Sequence, residues 1–309
     1  MTNSTLKIAT RKSLLAMWQA HWIKNQLHQL YSGLDIELVP MTTGGDEITH
    51  TSLKKFGGKG LFVKELENAL LEGRADIAVH SMKDVPMVFP EGLGLSVISE
   101  RGDPSDALIS NHYSRFDQLP IGACIGTSSL RRQSLIRHHR PDLKIKELRG
   151  NLNTRLRKLD QGGFDAIILA SAGLKRLNMA DRIRQSLPTE LFLPAGGQGA
   201  IGIETRREDL DTIALIAPLQ HAFSAACVSA ERAMNKKLQG GCQVPIACYA
   251  TAHSNDENTL KLQGLVCSLD GKHYLYEEHI GTNPEILGNS MAEALLTRGA
   301  EKILNAIYQ

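Results

Sequence analysis

The amino-acid sequence predicts an α/β protein with two consecutive α/β units and a small α+β domain at the C-terminal end. From residue 6 to residue 98, short strand patterns alternate with helical patterns, and a second alternation starts at residue 121. Alternation of this kind is typical of parallel βαβ units. The last third differs, because one helical pattern, 222–238, is followed by three strand-like runs. These runs, 246–252, 260–269 and 273–280, indicate a separate antiparallel sheet.

Local signals mark where individual elements start and stop. Ser13 directly precedes the first helical pattern and is the expected N-cap of that helix. A Gly-rich, basic loop follows the second strand, and Asp270-Gly271 indicates a hairpin turn. The predicted strands are 6–10, 35–41, 76–80, 95–98, 121–126, 144–148 and 165–170, and the predicted helices are 14–30, 61–72, one starting at 130, 154–160, 222–238 and 291–307.

Two turn-rich segments divide the chain into domains. Residues 99–106 combine Gly, Pro, Ser and Asp, as linkers do, and a Gly-rich stretch over 194–204 would carry the chain back to the first unit. We therefore predict a first domain of residues 1–99 plus 200–217, a second of residues 105–193 and a third of residues 222–309.

The overall composition is that of an ordinary globular protein, with 42% hydrophobic and 22% charged residues. The formal net charge of +2 is too small to predict binding to nucleic acid or to a membrane. No stretch approaches the roughly 20 apolar residues that cross a bilayer, and the first residues lack the pattern of a signal peptide. We therefore expect a cytoplasmic location. The five cysteines lack zinc-site spacing, so no metal is expected.

Cationic residues recur where predicted strands end and helices begin. Arg11 follows the first strand, and Arg131 and Arg132 follow Ser129. Ligands of open α/β sheets bind outside the carboxyl ends of the strands, where helix N-termini also attract anions. The sequence therefore predicts a cleft between the two α/β units that binds a ligand with many negative charges. The other members of this cationic set are Lys55, Lys59, Lys83, Arg149 and Arg176.

Three kinds of polyanion could occupy such a cleft. A nucleic acid is disfavoured, because no nucleic-acid-binding motif or basic tail is present. A nucleotide phosphate is also poorly supported, because GxGxxG and the P-loop motif are absent. A polycarboxylate ligand therefore competes well with a phosphorylated one, since guanidinium groups pair with both.

One acid and one thiol stand out beside these cations. Asp84 follows a predicted strand next to Lys83, where cations favour its ionised form. A carboxylate there can stabilise a developing positive charge or shuttle a proton, although a turn-forming aspartate explains these residues equally well. Cys242 follows Gly240 and Gly241, a turn that would hold its thiol in an accessible position. The other four cysteines lie in apolar surroundings.

Seven motifs follow one another along the chain. They are Ile8-Ala-Thr-Arg-Lys-Ser13, Gly58-Lys-Gly-Leu-Phe62, His80-Ser-Met-Lys-Asp-Val-Pro86, Gly126-Thr-Ser-Ser-Leu-Arg-Arg-Gln133, Leu148-Arg-Gly-Asn151, Pro194-Ala-Gly-Gly-Gln-Gly-Ala200 and Leu238-Gln-Gly-Gly-Cys-Gln-Val-Pro-Ile246. With these motifs in this order, the chain resembles the porphobilinogen deaminase (hydroxymethylbilane synthase) family of tetrapyrrole biosynthesis. Leu14 departs from the family pattern, in which a proline follows the serine.

The resemblance implies a fold, a cofactor and a set of binding residues. The two α/β domains would look like the lobes of periplasmic anion-binding proteins, and the C-terminal α+β domain would carry the cysteine loop. Cys242 would hold one dipyrromethane cofactor per chain through a thioether. The residues that would hold cofactor and substrate or line their cleft are Arg11, Ser13, Gln19, Lys55, Lys59, Ser81, Lys83, Thr127, Ser128, Ser129, Arg131, Arg132, Arg149, Gly150, Arg155, Ala170, Ser171, Arg176 and Gln198.

The resemblance also implies an activity. The enzyme would join four porphobilinogen molecules head-to-tail, with loss of ammonia, and release hydroxymethylbilane by hydrolysis. Asp84 would be the catalytic residue that stabilises cations and assists proton transfer. The alternative is a non-catalytic anion-binding protein with two α/β lobes, such as a ligand sensor or transport receptor. That alternative leaves the Gly-Gly-Cys loop and the third domain unexplained. No dedicated subunit interface is indicated, so we expect a monomer.

Overall fold

The computed structural model describes residues 5–44, 63–241 and 244–308. Their backbone forms three β-sheets, which belong to two compact units. Residues 1–101 and 200–225 form the first unit, and residues 102–199 and 226–309 form the second. In chain order the elements are β1 (Leu6–Arg11), α1 (Leu14–Leu30), β2 (Ile36–Met41), α2 (Lys64–Leu71), β3 (Ile77–Ser81), β4 (Leu93–Ile98), β5 (Asp106–Ile109), β6 (Cys124–Gly126), α3 (Leu130–His139), β7 (Lys144–Lys146), α4 (Leu152–Asp160), β8 (Ala166–Ala170), α5 (Ser171–Arg176), β9 (Gln185–Leu187), β10 (Ile201–Arg206), α6 (Leu210–Ile216), α7 (Ala222–Lys237), β11 (Ile246–His253), β12 (Asp256–Cys267), β13 (Tyr274–Gly281), α8 (Pro284–Thr297) and α9 (Ala300–Tyr308).

The first unit contains a five-stranded sheet in the order β2-β1-β3-β10-β4. β2, β1 and β3 run parallel, whereas β10 is antiparallel to both of its neighbours. Ile23 of α1 packs on one face of the sheet with Ile8. Leu66 of α2 packs on the other face with Ala9 and Ala78. Helices therefore cover both faces, which explains why most residues of β1 and β3 are buried.

The second sheet has the order β7-β6-β8-β5-β9 and repeats the strand directions of the first. β7, β6 and β8 are parallel, and β5 is antiparallel to both of its neighbours. In each sheet the fourth strand is the one that the chain enters soon after leaving the other unit. β5 follows the segment 99–105, and β10 follows the segment 194–200.

The third sheet is an antiparallel meander of β11, β12 and β13, and it belongs to the second unit. The hairpin turn between β12 and β13 rests on α3. His138 Nδ1 lies 2.9 Å from the carbonyl oxygen of Gly271, and its ring stacks on Tyr274 with 4.2 Å between ring centres. Gly271 has a φ of +76°, and a Cβ there would lie 2.5 Å from the backbone nitrogen of His138. This close approach requires glycine.

The predicted fold class is confirmed: two α/β sheets are followed by a small antiparallel sheet with its own helices. The start of the first helix is also confirmed, since the Ser13 side chain accepts a hydrogen bond from the backbone N–H of Ala16. The predicted division into three domains stays a prediction.

Three details differ from the sequence-based expectation. The closing helix is two helices, because the chain breaks at Gly299, which has a φ of +96°. The stretch 194–204, expected to be a linker, already contains the start of β10, whose periodicity is hidden among glycines. The sequence does not predict β5 or β9, because strands of three or four residues carry too little periodicity.

Candidate functional site

Two predicted binding residues end neighbouring parallel strands of the first sheet. Arg11 is the last residue of β1, and Ser81 is the last residue of β3. The register pairs Ile8 with Ile77, so the two strands end at the same edge of the sheet. This is the edge at which open α/β sheets bind their ligands.

Ser13 and Gln19 fix this edge through α1. The Ser13 side chain caps the helix by accepting from the Ala16 N–H over 3.3 Å. Gln19 is only 2% exposed, and its Nε2 donates to Ser81 Oγ over 2.8 Å. Gln19 therefore orients the Ser81 hydroxyl at the end of β3.

Asp84 ends a 3₁₀ turn, Met82–Asp84, that directly follows β3. The turn is anchored because the Met82 N–H donates to the carbonyl oxygen of Ala200 over 3.0 Å. The half-buried Asp84 and Arg11 line one cavity of about 70 Å³, and Lys83 is half-buried in the same turn. A cavity with both a carboxylate and a guanidinium suits a ligand that carries an acid group and a positive or N–H-donating group. Its other polar lining residues are Ser13, Gln19, His80 and Ser81.

Three hydroxyl residues build the corresponding edge of the second sheet. Ser129 caps α3 by accepting from the Arg132 N–H over 3.4 Å, and Thr127 Oγ1 accepts from the Ser129 N–H over 3.2 Å. Ser128 Oγ donates to the carbonyl oxygen of Leu148 over 2.8 Å. This last bond joins the loop after β6 to the loop after β7. The two loops follow parallel neighbouring strands, so they lie at one edge.

The loop after β7 carries Arg149 and Gly150 and leads into α4. Arg155 Nε donates to the Gly150 carbonyl oxygen over 2.7 Å, and Arg149 pairs with Glu147 at 2.6 Å. Gly150 has a φ of +114°, and a Cβ there would lie 2.7 Å from the Thr154 side chain, so only glycine fits. Two half-buried guanidinium groups are thus held at the N-terminus of α4, where the helix dipole also favours an anion.

Arg131 and Arg132 point into the second unit. They are 4% and 5% exposed, and both pair with the fully buried Asp106, Arg131 Nη1 at 2.8 Å and Arg132 Nη2 at 2.7 Å. Other guanidinium N–H groups donate to the carbonyl oxygens of Leu193 and Ile168. Burial alone would raise the pKa of Asp106, but the two guanidinium groups outweigh it and hold the pKa well below its usual range.

Asp106 is a residue that sequence reasoning missed. It lies at the end of the segment expected to be a linker and begins β5. The predicted binding residue Gln198 also reaches it, with Nε2 donating to Asp106 Oδ1 over 3.0 Å and to the Pro104 carbonyl oxygen over 2.7 Å. The available signal was an aspartate directly before an apolar run, where a charge needs a buried partner.

The loop after β8 places Ala170 and Ser171 at the start of α5. Ser171 is fully buried, and its Oγ lies 2.7 Å from the Oγ of Ser105. Arg176 ends the helix and donates from Nη2 to the Gly199 carbonyl oxygen over 2.6 Å. Burial lowers the pKa of Arg176 to about 10, which leaves the side chain protonated at neutral pH.

Lys55, Lys59 and Cys242 lie outside the described residues. The approach to the cysteine is described up to Gly241. The Gly240 N–H donates to the carbonyl oxygen of Asn235 over 2.7 Å, and a Cβ at Gly240 would lie 2.9 Å from Asn235 Oδ1. The start of the cysteine loop therefore packs tightly on the end of α7.

The described residues contain neither a group of metal ligands nor a single membrane-spanning helix. Within residues 5–44, 63–241 and 244–308, no three or more His, Cys, Asp or Glu side chains are grouped to hold a metal ion. No single helix in these ranges is long and apolar enough to cross a membrane. One pair, Leu210–Leu219 with Ala222–Lys237, meets the criterion jointly but is bent by 108°.

Several solved structures are similar to part of the chain. The periplasmic VFT2 domain of BvgS from Bordetella pertussis is 21% identical, with 69% of this chain and 86% of that chain covered and a TM-score of 0.41. The methionine-binding protein MetQ is 15% identical, with 70% of this chain and 90% of that chain covered and a TM-score of 0.44. A periplasmic substrate-binding protein of an ABC transporter from Coxiella burnetii is 14% identical, with 74% of this chain and 97% of that chain covered and a TM-score of 0.45. Similarity at this level does not indicate what the present chain binds.

Two protein-family models match the chain. The model described as "Porphobilinogen deaminase, dipyromethane cofactor binding domain" matches residues 6–214. The model described as "Porphobilinogen deaminase, C-terminal domain" matches residues 225–297. The first match contains Asp84 and both strand edges described above, and the second contains the cysteine loop and the third sheet. The chain therefore belongs to the porphobilinogen deaminase family.

Proposed function

We propose that this chain is a transferase that condenses four porphobilinogen molecules head-to-tail, with loss of ammonia, and releases hydroxymethylbilane by hydrolysis. The observation that carries the proposal is that Asp84 and Arg11 line one small cavity within the stretch matching the dipyromethane cofactor binding domain. Such a cavity offers an anion to positive charge and a cation to a carboxylate.

We assign recognition of carboxylates to the residues at the strand ends of both units. Porphobilinogen carries an acetate and a propionate, so each added pyrrole brings two negative charges. The half-buried guanidinium groups of Arg11, Arg149 and Arg155 suit bidentate pairing with such groups. Arg131 and Arg132 remain predicted ligand contacts, and a contact of this kind would compete with their pairing to Asp106.

We propose that one dipyrromethane cofactor per chain is attached to Cys242 through a thioether. The donor set fits this group, because its carboxylates need the cations and hydroxyls found at the strand ends. A Cβ added at Gly241 would meet no atom of the described residues within 4 Å, so these residues leave space beside the one that precedes the cysteine. When bound, the cofactor supplies the free pyrrole carbon to which the first substrate is joined.

We assign charge stabilisation and proton transfer to Asp84. Loss of ammonia leaves positive charge on the substrate, and a carboxylate fixed beside it lowers the barrier. A proton then leaves the new ring junction, and the same carboxylate can accept it. The hydrogen bond from the Met82 N–H to Ala200 holds the turn in place, while Arg11 binds a substrate carboxylate.

Asp84→Asn tests this role. The variant should retain the mass of the bound cofactor and lose most turnover, by about a hundredfold or more, because it removes the charge and the proton acceptor together. Asp211→Asn is the control, since Asp211 is an exposed carboxylate on α6 of the same unit. Consumption of porphobilinogen by the purified proteins is the measurement. Near-parental turnover in Asp84→Asn would remove this residue from the mechanism.

The intact mass of the purified protein tests the cofactor assignment. We expect a mass above that of the polypeptide by two pyrrole units, and we expect Cys242→Ser to lose this excess. Cys124→Ser, which changes a half-buried thiol on β6, should keep it. An excess that survives in Cys242→Ser would refute the thioether. A bare polypeptide that binds polycarboxylates without consuming porphobilinogen would favour the non-catalytic anion-binding protein.

We further propose a cytoplasmic monomer that binds neither nucleic acid nor membrane. The small formal net charge of +2 supports the lack of nucleic-acid and membrane binding, because it gives no general attraction to polyanionic surfaces. Light scattering after gel filtration should give the mass of one chain, and a mass of two chains would contradict the assignment.

A further inference from the structure

Three ionisable side chains lie buried in the first unit, outside the residues predicted to bind ligands. His80 is on β3, Glu204 is on β10 and Glu67 is on α2, and they are 5%, 0% and 7% exposed. His80 Nε2 and Glu204 Oε2 are 3.0 Å apart. Burying charged groups inside a protein is costly unless they are paired. Three buried ionisable groups with only one pair among them therefore suggest a function beyond packing.

The strand register places these groups on one face of the sheet. His80 pairs with Gly202, and Glu204 pairs with Ala78. Because residues two apart share a face of a strand, His80 and Glu204 both face the side on which Ala78 packs against α2. Glu67 lies in the first turn of α2 and approaches the pair from that side.

Glu67 is the second carboxyl group of this cluster, beside the pair formed by His80 and Glu204. Burial, followed by the charge of Glu204, raises the pKa of Glu67 to about 7 against the opposing effect of His80. Among the described residues, Oε1 of Glu67 and Oε1 of Glu204 have no hydrogen-bond partner. Glu67 is therefore a third ionisable group beside the His80–Glu204 pair, and its carboxyl group gains or loses its proton near neutral pH. The strands packed against α2 carry three further charged residues. On β10, Arg206 pairs with Asp76 and Asp209, and β1 carries Lys7 and Arg11, whereas β4 carries no ionisable residue.

The cluster lies directly behind the turn that carries Asp84. The Met82 N–H donates to the carbonyl oxygen of Ala200, and the Met82 side chain occupies the space above Gly202 on β10. His80, two residues before Met82, ties the same end of β3 to β10 through its side chain. A shift of this strand end would move Asp84 with it.

We propose that His80, Glu204 and Glu67 are positioning residues for the reaction assigned to Asp84. The hydrogen bond between His80 and Glu204 fixes the end of β3 on β10, and Glu67 sets the number of negative charges behind the turn. The inference rests on the proposed function, since the turn matters for catalysis only if Asp84 acts there. Glu204 and Glu67 act through the turn Met82–Asp84, and His80, which also lines the cavity, holds the turn through its hydrogen bond to Glu204.

The first test compares Glu204→Gln with Glu72→Gln in the cofactor-loaded full chain. Glu204→Gln keeps the side-chain shape and removes one charge of the buried pair. Glu72 follows α2, and its 59% exposed side chain pairs with Arg74, so this control changes a surface carboxylate of the same unit. The first readout is hydrogen exchange at the Met82 and Val85 N–H groups, which report whether the turn is held.

We expect exchange in Glu204→Gln to be about tenfold faster than in the parent, because the negative charge that strengthens the buried hydrogen bond to His80 is lost. We expect kcat for porphobilinogen to fall by about tenfold to a hundredfold with KM within about threefold, as displacement of a catalytic group requires. Glu72→Gln should change neither quantity. Parental exchange in Glu204→Gln, or faster exchange with parental kcat, would overturn the proposal.

Glu67→Gln provides a second variant that does not break the His80–Glu204 bond. Ionised Glu67 adds negative charge behind a site where positive charge develops, so parental kcat should rise between about pH 6 and about pH 8. This rise should disappear in Glu67→Gln, and an unchanged pH profile would contradict the role of Glu67. A parent without cofactor and without turnover would refute the proposed function instead. The exchange rates would then still decide whether the cluster holds the turn.

Discussion

The buried pairing of Asp106 with two arginines leads to a prediction about stability. Asp106→Asn removes the negative charge and leaves two guanidinium groups buried without a counter-ion. Removing one partner of a buried ion pair costs about 3–5 kcal/mol. The upper part of this range applies, because Asp106 Oδ1 accepts from Arg131, Arg132 and Gln198 at 2.7–3.2 Å. Domains are stable by only about 5–15 kcal/mol, so the second unit would lose much of its stability.

Asp117→Asn is the matched control, because it changes the same kind of ion pair at the surface. Arg115 donates to Asp117 from Nε and from Nη2, both over 2.9 Å. The Asp117 side chain is 63% exposed, so solvent screens this pair and we expect it to contribute little to stability. The comparison therefore separates the effect of burial from the effect of the pairing geometry.

Urea unfolding should be followed with one probe for each unit. Trp18 and Trp22, the only tryptophans in the sequence, both lie in α1, so tryptophan fluorescence follows the first unit. Amide exchange in β8, where the Ile168 carbonyl oxygen accepts from Arg132, follows the second unit. We expect the free energy of unfolding reported by β8 to fall by at least about 3 kcal/mol in Asp106→Asn. Equal values for Asp106→Asn and Asp117→Asn would refute the reasoning.

Two further predictions concern buried carboxyl groups. Burial raises the pKa of Glu67 from 4.5 to about 7. Between these two pH values the folded protein therefore binds more protons than the unfolded chain. The contribution of Glu67 to stability falls as the pH rises through this range. Relative to the parent, Glu67→Gln should gain up to about 3 kcal/mol between about pH 5 and about pH 8, and a constant difference in urea midpoint would contradict this. Glu231 accepts from the N–H groups of Gly197 and Ala250 at 2.6 and 2.8 Å, so Glu231→Gln would place an amide donor against a donor and cost about 1–3 kcal/mol. Thermal unfolding should show no comparable loss for the exposed Glu293→Gln, and equal losses would contradict the assignment.

Features governed by neighbouring residues could be predicted from the sequence. The start of α1 depends on Ser13 and on the N–H of Ala16, three residues away. The hairpin between β12 and β13 depends on Asp270 and Gly271. Such signals are local, so the strand–helix alternation and the three groups of strands follow from them.

Features governed by distant partners could not be predicted. β5 and β10 join sheets whose other strands lie far away in the sequence, and no local pattern encodes that pairing. The sequence places Arg131 and Arg132 at a strand end, but the partner that draws them inward, Asp106, is about 25 residues away. Glu204 shows the same limit, because its partner His80 is 124 positions earlier in the chain.

The position of β10 between β3 and β4 has a consequence for biosynthesis. When a ribosome has produced the first hundred residues, β3 and β4 exist, but the strand that joins them has not been made. Roughly a hundred further residues must be added first, which takes about 5–20 s at ordinary rates of synthesis. During this time β3 has an unpaired edge of the kind that promotes association between nascent chains. Binding by a chaperone during translation would therefore be most useful before Arg206 leaves the ribosome.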